Sequence, residues 1–236
     1  MVARHFFDRG LEELHLELIK MGSMVEESIE NSILALKKQD VGLAKKVFKN
    51  DDIIDDLERK IERICLNLIA TQQPLAKDLR TISTALKIIT DMERIADHSA
   101  DISEITIRMA NEKYIKPLID LPKMAELAKN MVNKSIDAYI KQDIELAQAV
   151  CDSDDDVDSL FSKITLELIN MMKNNPETVE QAIDFMLIAK YLERMADHAT
   201  NIGEWVVFNV TGEHDHLAKH IFMQGMGQDI DAPDHD

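Results

Sequence analysis

Several things are scarce in this chain, and each scarcity excludes something. Seven glycines and five prolines among 236 residues are too few for the tight turns of a many-stranded sheet. The glycines are also too scattered to build a phosphate-cradling loop. There are two cysteines, Cys65 and Cys151, each inside an apolar helical row. They read as buried thiols in a reducing compartment, not as a disulfide framework. No stretch approaches the roughly 18 uncharged apolar residues that a membrane span needs. The opening Met1-Val-Ala-Arg-His-Phe-Phe-Asp-Arg9 meets charge before a secretory signal could build its apolar core. A soluble, cytoplasmic protein is therefore expected. Positive charge is short as well: 27 basic residues face 44 acidic ones, a net charge of −17. Such a surface repels phosphate backbones and anionic lipid, which argues against nucleic acid and direct membrane insertion. Cations and basic protein surfaces are its natural complements.

What is present is helical periodicity. Leu11, Leu14, Leu18, Met21, Val25, Ile29, Ile33 and Leu36 step by three and four, drawing one stripe on a helix. Gln39-Asp40 breaks it. A second stripe runs Leu43, Val47, Ile54, Leu57, Ile61, Ile64, Leu68, and Thr71-Gln-Gln-Pro74 stops the chain. A third runs Leu75, Leu79, Ile82, Leu86, Ile89 until Glu93 interrupts it. The segment Lys116-Pro117 to Leu121-Pro122 is the natural boundary between halves. Beyond it the pattern returns through Leu127, Met131, Ile136 and Tyr139, then Leu146, Val150, Val157, Leu160, Ile164, Leu168 and Met171. After Asn174-Asn-Pro176 it resumes at Val179, Ile183 and Met186 and continues to Val210.

The halves also match residue by residue. Lys37-Lys-Gln-Asp40 parallels Ile140-Lys-Gln-Asp143, and Asp51-Asp-Ile-Ile-Asp55 parallels Asp154-Asp-Asp-Val-Asp158 at the same offset. Asp91-Met-Glu-Arg-Ile-Ala-Asp-His98 parallels Tyr191-Leu-Glu-Arg-Met-Ala-Asp-His198, three residues short of that offset, the deficit falling in the loop before the third helix. The expected fold is all-α: six long antiparallel helices as two tandem three-helix bundles, with short loops forcing neighbours antiparallel. The expected units are 1–116, 117–212 and an acidic, His-containing tail from 213 to 236. Helices of roughly thirty residues would make rods about 45 Å long.

Four acidic pairs stand out: Asp51/Asp55, Glu93/Asp97, Asp154/Asp158 and Glu193/Asp197. Residues four apart share one helix face, where like charges repel unless a cation sits between them. In a chain this acidic, such spacings also suit a solvated surface, and Arg94 and Arg194 offer internal salt bridges instead. Two features favour a site. The pairs recur in matching places, and Glu93 stands where the third stripe calls for an apolar residue, so its carboxylate points to the bundle edge and needs a partner. Antiparallel second and third helices would bring Asp51/Asp55 against Glu93/Asp97, since each pair lies about twenty residues from the turn between them. Clustered carboxylate oxygens suit a hard cation such as iron, manganese, magnesium or calcium rather than a thiolate-type zinc site. His98 and His198 follow the pairs directly and fit either ligation or the core. The methionines, at helical spacing, read as core. His214, His216, His220 and His235 fit a disordered terminus or a metal scavenger.

Gln72-Gln-Pro-Leu-Ala-Lys-Asp-Leu-Arg80, the duplicated Glu-Arg-x-Ala-Asp-His segments and the opening Leu11-Glu-Glu-Leu14 together resemble the PhoU family over about residues 5 to 210. The resemblance implies two three-helix bundles, each with a multinuclear metal site, iron first and manganese, zinc or magnesium as alternatives. Carried over residue by residue, the ligands fall on Asp51, Asp55, Glu93, Asp97 and Asp101 in the first half. In the second they fall on Asp154, Asp158, Glu193, Asp197 and Asn201. It further implies a non-enzymatic negative regulator of phosphate uptake and starvation signalling. The implied partners are a phosphate transporter's ATPase subunit, a phosphate-sensing histidine kinase and a second copy in a homodimer.

Two rival readings remain open. A ferritin-like oxidase would need two Glu-x-x-His motifs, and before the tail, where Glu213-His-Asp-His216 falls, the only such spacing is Glu12-Glu-Leu-His15. A metal-free helical adaptor would use its acids for solubility alone. Asp91 and Asp101 are matched by Tyr191 and Asn201, which gives the first half more carboxylate along its third-helix ridge and, by charge count, the tighter cation site.

Overall fold

The computed structural model describes residues 2–213, with side chains from residue 6 onward; the tail histidines His214, His216, His220 and His235 lie outside the described residues. The first half consists of α1 (Val2–Lys38), α2 (Val41–Gln72) and α3 (Ala76–Arg108). The second consists of α4 (Asp120–Lys141), α5 (Ile144–Asp152), α6 (Asp154–Asn174), a single 3₁₀ turn (Pro176–Thr178) and α7 (Val179–Thr211). No strand occurs among the described residues.

The duplicated turns use the same chemistry. Gln39 and Gln142 adopt left-handed φ values of 53° and 52°. Asp40 and Asp143 then cap α2 and α5 by accepting from the backbone N–H of Leu43 and Leu146, each at 3.0 Å. An aspartate at this position satisfies a donor that the helix itself leaves orphaned. Pro122 does not delay the fourth helix. It sits in the first turn of α4, where a missing N–H costs nothing.

One expected helix is two. The fifth is interrupted at Ser153, whose hydroxyl donates back to the carbonyl of Ala149 at 2.7 Å. The new N-terminus is stabilised by Asp154, Asp155 and Asp156 in the first turn of α6, where negative charge answers the helix dipole. The matching stretch of α2 runs unbroken through Asp51.

The α1 stripe is buried from Leu14 to Leu36, and α2 buries Val47, Ile54, Leu57, Ile61 and Leu68. On α3 the stripe is displaced. Leu75 and Leu79 are exposed, and burial begins at Ile82 and runs through Ala85, Ile88, Ile89, Met92 and Ile95. Ile183, on α7, is likewise exposed. In the first half α3 packs on α1 and α2, in the second α7 packs on α4, α5 and α6, and the halves join through α3 against α7 and α1 against α4. One continuous core therefore spans both. Arg80 of α3 reaches across to donate to the carbonyl of Asn209, at 3.4 Å, near the C-terminus of α7. There Gly212, at φ 84°, lies against the guanidinium.

Candidate metal centres

The candidate centres lie where α2 meets α3 in the first half and where α6 meets α7 in the second. In the first half Asp51 and Asp55 stand one turn apart on α2, and Asp97 faces them from α3. One carboxylate oxygen from each of the three lies within 4.8 Å of the others. Glu93, one turn before Asp97, is four-fifths buried at its side chain and adds to the field, as its place in the apolar row required. Oδ1 of Asp51 and Oδ1 of Asp55 are buried without a hydrogen-bond partner. Burial, then the charges of Asp97, Asp55 and Glu93, push the Asp51 carboxyl up to about 7. Burial and Asp97 raise Glu93 as well.

In the second half Asp154 and Asp158 stand on α6 and Glu193 and Asp197 on α7, but among the described residues only the first half gathers three oxygens within 4.8 Å of one another. Oδ1 of Asp154 is buried and unpartnered. Burial, then Asp197, Asp158 and Glu193, push this carboxyl up to about 7. Asp158 and Asp197 are exposed as whole residues, yet desolvation of their carboxyl groups, followed by Glu193, raises both above the usual range. Carboxylates crowded this way carry repulsion that a cation among them would relieve. All donors are oxygens, so the set fits a hard cation.

Basic side chains stand beside both groups and differ between them. In the first half Arg94 contacts Asp97 at 3.0 Å and Glu93 at 3.4 Å, and Arg59 contacts Asp55 at 3.5 Å. Arg59 and Arg94 are mostly exposed, at 60% and 55%. In the second half Lys190 sits on Glu193, at 2.5 and 2.6 Å to its two oxygens. The equivalent position in the first half is Thr90. This lysine escaped the sequence reading, although Thr90 against Lys190 was visible in the duplicated segment.

Asp101 and Asn201 point elsewhere. Asp101 contacts Nδ1 of His98 through Oδ2 at 3.4 Å, and Asn201 donates to Asp91 at 3.4 Å. Asp91 also accepts from Nδ1 of His198 at 2.8 Å. These groups form the seam between α3 and α7. There the ring of His98 stacks on Tyr191 with centroids 5.3 Å apart and stands 5.9 Å from that of His198. Burial holds the His98 imidazole below its usual range. The two histidines thus join the halves, and the Asp91/Tyr191 and Asp101/Asn201 differences belong to that seam rather than to the oxygen cluster of the first site. Glu12 and His15 do not form a ligand pair: His15 packs edge-on against Tyr139 at 5.8 Å. Cys65 and Cys151 are buried, and burial pushes both thiols up to about 12.

With this geometry in view, the comparisons with known proteins are specific. The sequence profile of the PhoU domain matches residues 18–106 and again 121–206. A phosphate-specific transport system accessory protein PhoU homolog of Clostridium acetobutylicum is 43% identical over 213 residues, covering 90% of this chain and 97% of the relative. One from Aquifex aeolicus is 40% identical over 220 residues, with 93% and 98% covered. Among solved structures, PhoU from Pseudomonas aeruginosa superposes with a TM-score of 0.84 at 31% identity, covering 88% of this chain and all of that one. The phosphate transport system regulatory protein PhoU from Streptococcus pneumoniae gives 0.83 at 27% identity, with 89% and 99% covered.

Proposed function

The chain belongs to the PhoU family, and from that premise we propose that it is a metal-binding accessory protein that restrains phosphate-specific transport and phosphate-starvation signalling. The observation that carries the accessory role is the near-complete coverage of PhoU homologs by one continuous alignment that includes both carboxylate centres. In this reading Asp51, Asp55, Glu93 and Asp97 hold cations in the first half, and Asp154, Asp158, Glu193 and Asp197 hold them in the second. Iron or manganese would supply concentrated positive charge there and lock α2 to α3 and α6 to α7. Asp101 and Asn201 act one step away, through the histidine seam.

The expected partners are the transporter's ATPase subunit and a phosphate-sensing histidine kinase, engaged from the cytoplasm, with a second copy in a homodimer. A net charge of −17 favours basic partner faces, and contacts steered in this way weaken with salt. The protein acts by contact and not by catalysis. A strain lacking it should express starvation genes in phosphate-rich medium. Normal repression in that strain would overturn the regulatory reading.

A metal-free adaptor is the second reading, favoured by the arginine and lysine contacts above. Against it, the unpartnered oxygens of Asp51 and Asp154 persist despite those cations.

A further inference from the structure

The two halves are duplicates, but their matching ends have diverged in charge. Residues 37–49, across the α1–α2 turn, carry five lysines and one aspartate. Residues 140–152, across the α4–α5 turn, carry one lysine and three acids. Lys37, Lys45, Lys46 and Lys49 are replaced there by Ile140, Gln148, Ala149 and Asp152. In a chain this acidic, one end of the first bundle is therefore basic.

That end also holds an open cleft of about 490 Å³, lined by Lys37, Lys113, Tyr114, Ile115, Lys116, Pro117 and Leu118. The cleft is a built feature. The side-chain amide of Gln39 donates to the carbonyls of Met109 and Glu112, at 3.2 and 2.7 Å. The Tyr114 hydroxyl donates to the carbonyl of Leu36 at 2.7 Å, and the Ile115 N–H donates to Gln181 at 2.6 Å. Of the acids around it, Glu167 pairs with Lys116 of the lining, while Asp40, which caps α2, and Glu112, which accepts from Gln181, keep their charge and are outnumbered by the lysines at 37–49 and at 113. Among the described residues, no carboxylate forms an ion pair with Lys37 or Lys113, and both are exposed.

We propose that this cleft docks an acidic peptide segment of a partner protein, with Lys37 and Lys113 meeting its carboxylates and Tyr114, Ile115, Pro117 and Leu118 receiving one apolar side chain. Charge complementarity selects an anion. A concave, half-apolar floor selects a chain with a side chain to insert, whereas a membrane surface calls for a protruding apolar wedge. The inference stands on charge and shape at this end and is independent of the carboxylate centres.

The test is fluorescence anisotropy with the full chain and a fluorescein-labelled peptide of aspartates and glutamates around a central leucine. Its Asn/Gln counterpart, vesicles of phosphatidylcholine with phosphatidylglycerol, and a single-stranded oligonucleotide serve as the other probes. The acidic peptide should bind, should weaken as salt rises, and should lose about tenfold or more in affinity in Lys37→Glu/Lys113→Glu. Lys141→Glu, at the matching turn of the second half, should leave it unchanged. No binding by the wild type, equal binding of the neutral peptide, an equal loss in Lys141→Glu, or preference for vesicles or oligonucleotide would each overturn the proposal. The wild-type comparisons decide it even if the double variant fails to fold.

Discussion

Nδ1 of His198 lies 2.8 Å from Oδ1 of Asp91, so the histidine that closes the second half's acidic motif is held by the residue that opens the first half's. Asp91 is largely buried, with 13% of its side chain exposed, and it also accepts from Asn201. Removing its carboxylate strands two polar groups at the contact between halves. Asp91→Ala should therefore cost about 1–2 kcal/mol of stability. Denaturant unfolding checks this, and a double-mutant cycle with His198→Ala should show coupling between the two sites. Additive costs would mean that the contact carries no energy.

The acid pairs predict a pH dependence for the metal-free protein. Asp51 and Asp154 are pushed from 3.8 up to about 7 in the fold, so ionising them disfavours folding. Their contribution is fully present below their unfolded range and is lost as pH rises through about 7. Below about 6.5, His15 and His98, both lowered by burial, act in the opposite direction. With chelator present, the melting temperature should rise as pH falls from about 8 to about 6.5, and rise less in Asp51→Asn/Asp154→Asn. Identical slopes in the two proteins would contradict the crowding of these carboxylates.

The two centres are unequal. Among the described residues three oxygens gather within 4.8 Å of one another only in the first, where Arg59 and Arg94 are mostly exposed. Lys190 occupies the second. Its ammonium neutralises Glu193 and competes with any cation there. Asp154, moreover, sits at the N-terminus of α6, where the helix dipole already favours its charge. The first centre should hold divalent metal more tightly, and the second should release it first under stepwise chelation. Lys190→Thr should narrow the gap. Calorimetric titration of variants with one centre intact measures both effects, and a tighter second centre in the wild type would refute the argument.

Gly203 marks where α5 meets α7. A Cβ there would stand 3.1 Å from the carbonyl oxygen of Ala147 and 3.2 Å from Sγ of Cys151. Backbone on one side leaves little room to yield. Gly203→Val should destabilise the protein by about 1–3 kcal/mol, read from thermal or denaturant unfolding.

The fold was largely legible because apolar spacing reports which face of a helix is buried, and the duplicated turns at Gln39-Asp40 and Gln142-Asp143 carry their own caps. Glu93 was legible for the same reason, as a carboxylate in an apolar row. Periodicity does not say which neighbouring helix a face meets. Asp91 and Asp101 therefore read in sequence as part of the first acidic ridge, although in the fold His198 of α7 engages Asp91 and His98 engages Asp101. The break at Ser153 falls inside an apolar row that continues from Leu146 and Val150 to Val157 and Leu160, so periodicity gives no sign of it. Leu75 and Leu79 continue the α3 stripe in sequence but are exposed in the fold, so the row alone overstates the core.

The central claim, that the paired carboxylates hold metal, is tested most directly by elemental analysis of purified protein loaded with ferrous or manganous ion and then dialysed. Wild type is compared with Asp51→Asn/Asp97→Asn/Asp154→Asn/Asp197→Asn, and circular dichroism checks that both remain helical. Bound metal in the wild type and its loss from a folded variant is the expected result. Equal metal content in the two, or none retained by the wild type, would contradict it.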